Sequence, residues 1–405
     1  MARYSVADFP PPTVITDTDA LAALCRRLAR EEFVTVDTEF MRERTYYPEL
    51  CLVQLAGEKE VAVVDTISDR LDLAPLGELL ANPIVTKVFH AARQDVEIFV
   101  QRFGAVPNPL FDTQVAAMVA GFGDQVGYDA LVSSLTGGLI DKAHRFSDWA
   151  ARPLSAAQMI YAAADVTWLR MVYRRLRDRL VEEGRLTWVA EEMAILNNPD
   201  TYRTDPETAW ERLKVRGNNR RFLALVRALA AWREQEAQRI NIPRQRLLKD
   251  ETMMEIAAIA PGNPEALSRA RGISRGFAEG RTGSSLLDVV AATIALPEAS
   301  LPQVPRQRET ARPSAALVQL LKVLLTARCE ENQVAPKLIA SSDDIDRIAS
   351  EDAPDVPALH GWRRIVFGAD AIALREGRVA LGVDGRRIRL IPVAKYDAAA
   401  EGGSG

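Results

Sequence analysis

The sequence FVTVDTEF at residues 33–40 is the strongest indication of how the amino-terminal part of this chain folds. Apolar and polar side chains alternate along it, which is the pattern of a β-strand with one buried face. Asp37 and Glu39 lie two residues apart and therefore project from the same face of that strand. Two acids on a buried strand are costly to desolvate unless a cation or hydrogen bonds compensate them, so this pair marks a candidate cation site. A pair of ordinary surface charges is the alternative interpretation.

Three further strands and a helix are predicted after this stretch. The strand-like runs lie at 51–56, 61–64 and 85–89, and the helix runs from about 92 to 103. Short connections between the first three strands predict antiparallel pairing, and the whole arrangement predicts an α/β domain with a mixed sheet. Asp95 lies in the first turn of the helix, near the carboxyl end of the fourth strand, where α/β sheets gather functional groups. A favourable charge at a helix start is the commoner explanation for that residue alone.

A long helix is predicted from Ser155 to about residue 183, because Ser155 and Gln158 have the spacing of a capping box. Tyr161 and Asp165 are four residues apart on it and share a face, which the three alanines between them leave open. The neighbouring sequence is apolar, so Asp165 is not part of a solvated run of charges. A packed aromatic is the commoner explanation for Tyr161 alone.

Four carboxyl groups on three elements suit the hydrolysis of a phosphodiester bond. Two divalent ions roughly 3.5–4 Å apart activate the attacking water and stabilise the departing oxyanion. Mg²⁺ and Mn²⁺ prefer oxygen ligands for this task. A tyrosine hydroxyl, whose ordinary pKa is about 10, orients such a water better than it deprotonates it. Sequence spacing does not bring the three segments together, so the residues by themselves indicate only a candidate two-metal site.

Changes in composition divide the chain into five segments. Helical patterns without strand-like alternation follow the break NNPD at 197–200, and a stretch rich in Pro, Gln and Arg interrupts them. The predicted boundaries are 1–205 for the α/β domain, 206–297 for a first helical domain, 298–313 for a linker, 314–393 for a second helical domain and 394–405 for a disordered tail. The second helical domain is expected to end in a hairpin around Asp384 and Gly385.

The composition points to a reducing, aqueous compartment. The net charge is −4 and 48% of the residues are hydrophobic, which is ordinary for a globular protein. The three cysteines are scattered and lack CxxC spacing, so they indicate neither disulfides nor a zinc site. No apolar run is long enough to span a bilayer. We therefore expect a cytoplasmic protein with no membrane partner, and a monomer by default.

A basic stretch and a few side chains near the acids are candidates for substrate binding. Residues 210–250 hold eleven Lys or Arg against four Asp or Glu. Such an excess is the electrostatic footprint of phosphate contact, and an ordinary solvated helical face is the alternative. Apolar side chains directly after the first acidic pair could stack on a terminal base without selecting sequence. The candidate contacts in the α/β domain are Phe40, Met41, Gln94, Lys142 and Arg145.

Three motifs resemble those of a known nuclease superfamily. VDTEF at 36–40, FHAARQD at 89–95 and YAAAD at 161–165 resemble the three exonuclease motifs of the DEDD superfamily, in the order and spacing of the ribonuclease D family. The tyrosine four residues before the last aspartate resembles the DEDDy branch, and FDT at 111–113 is a further match. The pattern from 229 to 267 resembles an HRDC domain, which makes Trp232 and Arg233 candidates for RNA contact. The pattern from 335 to 363 is similar to a second such domain.

The resemblance implies a fold, a site and an activity. The fold is a ribonuclease H-like exonuclease domain, in which helices flank a mixed sheet, followed by two all-α HRDC-like domains. Asp37, Glu39, Asp95 and Asp165 would hold two Mg²⁺ or Mn²⁺ ions, and Tyr161 would position the water. The activity is that of a 3′→5′ exoribonuclease that releases nucleoside 5′-monophosphates. Its substrates would be tRNA precursors or other structured RNA with a single-stranded 3′ end.

Two alternative functions stay open at this stage. A DNA 3′→5′ exonuclease could share the fold, although the helical appendage argues mildly for RNA. A catalytically silent RNA-binding protein could share it as well. The intact acids and tyrosine argue against that second alternative, because loss of one acid would break the metal pair.

Overall fold

A six-stranded mixed sheet organises the amino-terminal domain. The computed structural model describes residues 11–213, 215, 219–303 and 313–393. The strands are β1 (Thr13–Ile15), β2 (Phe33–Met41), β3 (Glu49–Ala56), β4 (Val61–Asp65), β5 (Thr86–Phe89) and β6 (Leu110–Asp112), in the spatial order β1-β4-β3-β2-β5-β6. β2 pairs antiparallel with β3 and parallel with β5, and β3 pairs antiparallel with β4. The predicted antiparallel pairing and mixed sheet are therefore confirmed.

Within the described part of this domain, seven helices pack around the sheet. They are α1 (Thr18–Leu28), α2 (Ala74–Ala81), α3 (Arg93–Phe103), α4 (Thr113–Val119), α5 (Tyr128–Thr136), α6 (Ala156–Glu182) and α7 (Leu186–Leu196). The predicted capping box begins α6: Gln158 N donates to Ser155 Oγ at 3.2 Å, and Ser155 N donates to Gln158 Oε1 at 2.9 Å. The largest fully buried side chains include Trp168 and Phe89, so the core lies between the sheet and α6.

The next region is helical throughout its described residues. It contains α8 (Arg220–Ile240), α9 (Arg244–Leu247), α10 (Asp250–Ile259), α11 (Pro264–Leu267), α12 (Arg275–Glu279) and α13 (Arg281–Ile294), with short 3₁₀ segments at Pro199–Tyr202, Pro206–Arg212 and Glu298–Ser300. Leu229, Trp232 and Ile256 belong to a hydrophobic cluster separate from that of the sheet. This region therefore has its own core.

The carboxyl-terminal region is helical up to Arg375 and ends in a hairpin. Its helices are α14 (Ala315–Asn332), α15 (Pro336–Ile339), α16 (Ser342–Ser350), α17 (Gly361–Arg363) and α18 (Ala369–Arg375), with a 3₁₀ turn at Pro357–Leu359 and a π-helical turn at Arg364–Gly368. The strands β7 (Val379–Asp384) and β8 (Arg387–Pro392) pair antiparallel. The hairpin expected around Asp384 and Gly385 is confirmed, and "all-α" describes this region only up to the hairpin.

Some sequence-based expectations fall outside the described residues. The tail 394–405 lies there entirely, as do residues 304–312 of the linker and the first ten residues. The domain boundaries themselves remain a proposal. Among the helices of the described residues, none has the length and the apolar character that crossing a bilayer requires.

Candidate active site

The central strand and the long helix bring three of the four acids together. Asp37 and Glu39 lie on β2, whose pairing with β3 shifts its register between Glu39 and Phe40. Thr35 Oγ1 donates to the carbonyl oxygen of Val166 at 2.7 Å and thereby fixes α6 against β2. As a result, carboxylate oxygens of Asp37, Glu39 and Asp165 all lie within 4.8 Å of one another. The three side chains are half-buried.

Asp95 lies beside this group and is held by β2. It is in the first turn of α3 and only 6% exposed. Thr38, which lies between the two acids of β2, donates its hydroxyl hydrogen to Asp95 Oδ1. The group of three carboxylates above does not include Asp95. The charge of Asp37 nevertheless raises the pKa of Asp95, so the fourth acid adjoins the group.

The electrostatics of the four acids favour a bound cation. Burial raises the pKa of Asp37, Glu39, Asp95 and Asp165, and mutual repulsion raises that of the first three further. Among the described residues, no lysine or arginine is a cause of any of these shifts. A divalent cation would supply the missing positive charge, and oxygen donors are what Mg²⁺ and Mn²⁺ prefer. The donor set therefore fits a divalent metal.

Tyr161 lies one helical turn before Asp165 and is half-buried. Its ring centroid is 6.0 Å from that of Trp149 and 6.3 Å from that of His144. Burial and then the charge of Asp165 raise the pKa of Tyr161 further above its usual range. The phenol consequently keeps its proton, which suits a group that orients a water and not one that deprotonates it.

A cleft of about 370 Å³ joins these residues to a basic loop. Its lining includes Asp37, Thr38, Glu39, Tyr161 and Asp165, together with His90, Gln114, Tyr128, Lys142 and Arg145. The ammonium group of Lys142 lies 2.7 Å from Asp129 Oδ2. An adjacent cleft of about 610 Å³ shares Glu39 and Arg145 with the first and is also lined by Phe40, Met41 and Phe146. Four of the predicted contact residues therefore surround the acids.

The other three predicted contact residues lie elsewhere. Gln94 is exposed on α3, and neither cleft includes it in its lining. Trp232 is 6% exposed and donates from Nε1 to Ser285 Oγ at 3.0 Å. Arg233 is 4% exposed and donates from Nη1 to Leu248 O at 2.8 Å and to Asp250 Oδ1 at 2.7 Å. The RNA-contact role expected for Trp232 and Arg233 is therefore replaced by a packing role.

The basic stretch is also engaged largely within the protein. Lys214 and Arg216 lie outside the described residues. Five of the remaining cations bind carbonyl or carboxylate oxygens, namely Arg220, Arg221, Arg233, Arg239 and Arg244. The local excess of positive charge counted from the sequence therefore overstates what this surface offers to phosphate.

Sequence reasoning missed three residues of the site. Thr38 fixes Asp95, and Tyr128 donates its hydroxyl hydrogen to the backbone oxygen of Asp165 at 2.6 Å. Phe146 is 91% exposed, and the guanidinium carbon of Arg145 lies 5.5 Å from the centroid of its ring. An aromatic residue in a polar loop that already held two candidate cations was the available signal for Phe146. Nothing in the sequence around Thr38 or Tyr128 marks these two side chains.

Comparisons with known proteins give consistent matches. A family model described as 3′-5′ exonuclease matches residues 12–181, and an HRDC domain model matches residues 222–290. The chain is 67% identical to the ribonuclease D of Granulibacter bethesdensis over 392 residues, which is 96% of this chain and 99% of that protein. It is also 67% identical to the ribonuclease D of Acidiphilium cryptum over 383 residues, with coverage of 95% and 98%. The crystal structure of Escherichia coli RNase D, described as an exoribonuclease involved in structured RNA processing, is similar with a TM-score of 0.78. Its sequence identity is 30%, and the likeness covers 90% of this chain and 99% of that one.

Proposed function

This chain belongs to the ribonuclease D family of 3′→5′ exoribonucleases, and on that premise we propose which residues carry the reaction. Asp37, Glu39, Asp95 and Asp165 hold two divalent cations, Mg²⁺ or Mn²⁺. The observation that carries this proposal is the convergence of carboxylate oxygens from β2 and α6 within 4.8 Å. Ions bound there supply Lewis acidity toward the scissile phosphate and toward the oxygens that attack and depart.

Tyr161 orients the attacking water. Its position one turn before Asp165 places the hydroxyl in the same cleft as the acids, and its raised pKa keeps the proton on the phenol. Thr38 and Tyr128 hold the side chain of Asp95 and the backbone at Asp165, so they keep ligands in place without touching the substrate. Hydrolysis then releases a nucleoside 5′-monophosphate and leaves the RNA shorter by one nucleotide.

The RNA 3′ end is held where the two clefts meet. Arg145 offers positive charge to the phosphates on one side of the acids, and Lys142 does so when a phosphate replaces Asp129 as its partner. Phe40, Met41 and the exposed ring of Phe146 offer surfaces on which bases stack without regard to sequence. This division between charge and stacking suits a single-stranded end and gives no base selectivity.

We extend the proposal to the substrate and its setting. Structured RNA processing is what the E. coli relative is described as doing, and we propose that this chain trims tRNA precursors or other structured RNA with a single-stranded 3′ end. All three cysteines are free and buried, which supports a reducing compartment such as the cytoplasm. We propose that it works there as a monomer.

The test compares two substitutions on α6. Purified protein with Mn²⁺ or Mg²⁺ should shorten 5′-labelled RNA one nucleotide at a time and release 5′-monophosphates. Asp165→Asn should lower the rate by about a hundredfold or more, whereas Asp178→Asn, an exposed acid on the same helix, should not change it. An unchanged rate in Asp165→Asn would overturn the assignment of this ligand. DNA of the same sequence is digested in parallel, and faster cleavage of DNA would favour the alternative nuclease activity.

A further inference from the structure

A buried carboxylate outside the group of four acids has no part in the chemistry proposed so far. Asp112 ends β6 and is only 2% exposed. It accepts hydrogen bonds from four backbone amides: Ala91 N at 3.0 Å, Gln114 N at 2.7 Å and Val115 N at 3.4 Å bind Oδ1, and Ala92 N at 2.8 Å binds Oδ2. Because a carboxylate so deeply buried is costly without partners, these amides account for its stability.

Two of the four amides are those of an ordinary helix cap. Gln114 and Val115 lie in the first turn of α4, and Asp112 is the N-cap residue of that helix. The other two belong to a different connection, about twenty residues earlier in the chain. Capping of α4 needs only the amides of Gln114 and Val115. The hydrogen bonds from Ala91 and Ala92 therefore need another explanation.

The second pair fixes the turn that leads to Asp95. Ala91 and Ala92 join β5 to α3, and Ala91 has a φ of 57° in the left-handed region that alanine rarely adopts. Ala92 is the N-cap residue of α3, and its side chain makes no cap hydrogen bond. The carboxylate of Asp112 therefore supplies the hydrogen-bond acceptor that the side chain of Ala92 lacks. It also stabilises a turn whose left-handed φ is unfavourable for Ala91. Asp95 follows three residues after Ala92.

We propose that Asp112 is a positioning residue for Asp95. It holds the left-handed turn at Ala91 through the amides of Ala91 and Ala92, and so sets the direction in which the first turn of α3 presents Asp95 to the metal site. The hydroxyl of Thr38 fixes the same carboxylate from the side of β2. The inference rests on the proposed assignment of Asp95 as a metal ligand.

The substitution Asp112→Asn keeps the acceptor Oδ1, which serves α4 and Ala91, and removes the acceptor Oδ2, which serves Ala92. Asparagine caps a helix about as well as aspartate does, so its carbonyl oxygen can still serve α4. Its amide nitrogen replaces the oxygen that accepts from Ala92 and places a donor against a donor. We expect Mn²⁺ affinity, measured by calorimetry on the full-length protein, to fall about tenfold, as it does for other residues that orient metal ligands. The kcat should fall with it, and the KM for RNA should stay unchanged.

A second substitution tests whether the turn is the route. Glycine adopts a left-handed φ without steric cost, so Ala91→Gly in the Asp112→Asn background should restore most of the lost Mn²⁺ affinity. The single Ala91→Gly variant serves as its reference. Asp17→Asn is the matched control, because Asp17 caps α1 by accepting from Ala20 N at 2.9 Å and lies on a different element. It should leave Mn²⁺ affinity unchanged.

Each outcome decides the proposal. Wild-type Mn²⁺ affinity in Asp112→Asn would reduce Asp112 to a helix cap, and a loss that Ala91→Gly does not restore would exclude the turn as the route. If Asp112→Asn does not fold, Ala91→Val strains the same turn with the carboxylate in place, and wild-type Mn²⁺ affinity there would overturn the proposal. Asp95→Asn identifies failure of the premise: if it binds Mn²⁺ normally, Asp95 is not a ligand, whatever Asp112 does.

Discussion

At the scale of single residues, the site is a set of acids whose charges are left uncompensated. The carboxyl groups of Asp37, Glu39 and Asp165 face one another in a half-buried cleft, and Asp95 adjoins them. Burial raises the pKa values of all four, and repulsion between the acids raises those of Asp37, Glu39 and Asp95 further. Without a metal, these carboxyl groups therefore tend to hold protons, which a bound cation would replace. Metal binding and proton release are therefore linked.

This linkage gives a prediction about heat and protons. A carboxyl group with a raised pKa is neutral up to a higher pH than usual, so near neutral pH the entering cation displaces protons. The enthalpy of Mn²⁺ binding should accordingly differ between two buffers of unlike ionisation enthalpy. The number of protons released on Mn²⁺ binding should fall, and the affinity for Mn²⁺ should rise, as the pH increases through the raised pKa values. Glu39→Gln should release fewer protons, and buffer-independent heats would contradict the prediction.

The tyrosine gives a prediction about rate alone. Tyr161→Phe removes the hydroxyl that orients the water and leaves every carboxylate in place, so kcat should fall by about ten- to a hundredfold. Mn²⁺ affinity should stay at the wild-type value. Tyr173→Phe on the same helix is the control, because that ring packs on Phe33 and Phe111 in the core. Equal losses of rate in the two variants would show that Tyr161 acts through folding.

From the sequence, these residues can be grouped only where two of them lie on the same strand or helix. The two-residue period of a strand paired Asp37 with Glu39, and the helical period paired Tyr161 with Asp165. No local period joins Asp95 to either pair, since the hydrogen bond from Thr38 spans 57 residues, and the motif resemblance supplied that link. The RNA-contact role expected for Trp232 failed for a related reason: a pattern identifies an element, whereas burial depends on what packs against it.

At the scale of elements, α6 positions the reactive end of the site. Its first turn is held by the capping box of Ser155 and Gln158, and it carries Tyr161 and Asp165 within its first three turns. The sequence predicts the long, strongly patterned elements, and α6 is one of them. β1 and β6 were missed, because three residues are too few to show alternation, although each pairs in parallel with a neighbouring strand.

The capping box gives a prediction about stability. Ser155→Ala removes the acceptor for Gln158 N, so the free energy of unfolding should fall by about 1 kcal/mol in chemical denaturation. Fraying at this end should also weaken Mn²⁺ binding, because Asp165 lies on the same helix. Ser341→Ala breaks the equivalent capping box of α16 in the carboxyl-terminal region and should leave Mn²⁺ binding intact. Identical Mn²⁺ affinities in both variants would show that α6 does not need its cap to hold the ligand.

At the scale of the whole molecule, both helical regions are attached to the exonuclease domain through buried acids. Tyr46 donates its hydroxyl hydrogen to Glu234 of α8, a side chain that is 1% exposed. On the other side, Trp362 Nε1 donates to Glu192 Oε1 at 2.9 Å. The partners of the first contact are 188 residues apart and those of the second 170, so no local pattern in the sequence indicates either junction. Through these contacts both helical regions pack directly against the exonuclease domain.

The second junction gives a prediction about domain docking. Glu192 is 4% exposed, and Arg363 Nη2 donates to its Oε2 at 2.6 Å while Trp362 stacks on Trp188 with centroids 4.7 Å apart. Burial raises the pKa of Glu192 and the guanidinium of Arg363 opposes that rise. Arg363→Ala leaves the buried carboxylate without its cation, so docking should weaken by about 3–5 kcal/mol. Denaturation followed by tryptophan fluorescence measures this, since two tryptophans meet at the junction.

Two further variants decide whether the lost charge is the cause. Glu192→Gln in the Arg363→Ala background removes the uncompensated charge, so it should recover a large part of the loss. Arg378→Ala breaks an exposed pair with Glu376 and should cost no more than about 1 kcal/mol. If Arg363→Ala were as mild as Arg378→Ala, the ion pair with Glu192 would not be what holds the carboxyl-terminal region. Docking would then rest on the stacked tryptophans and the other contacts of the junction, and it would be insensitive to the ionisation of Glu192.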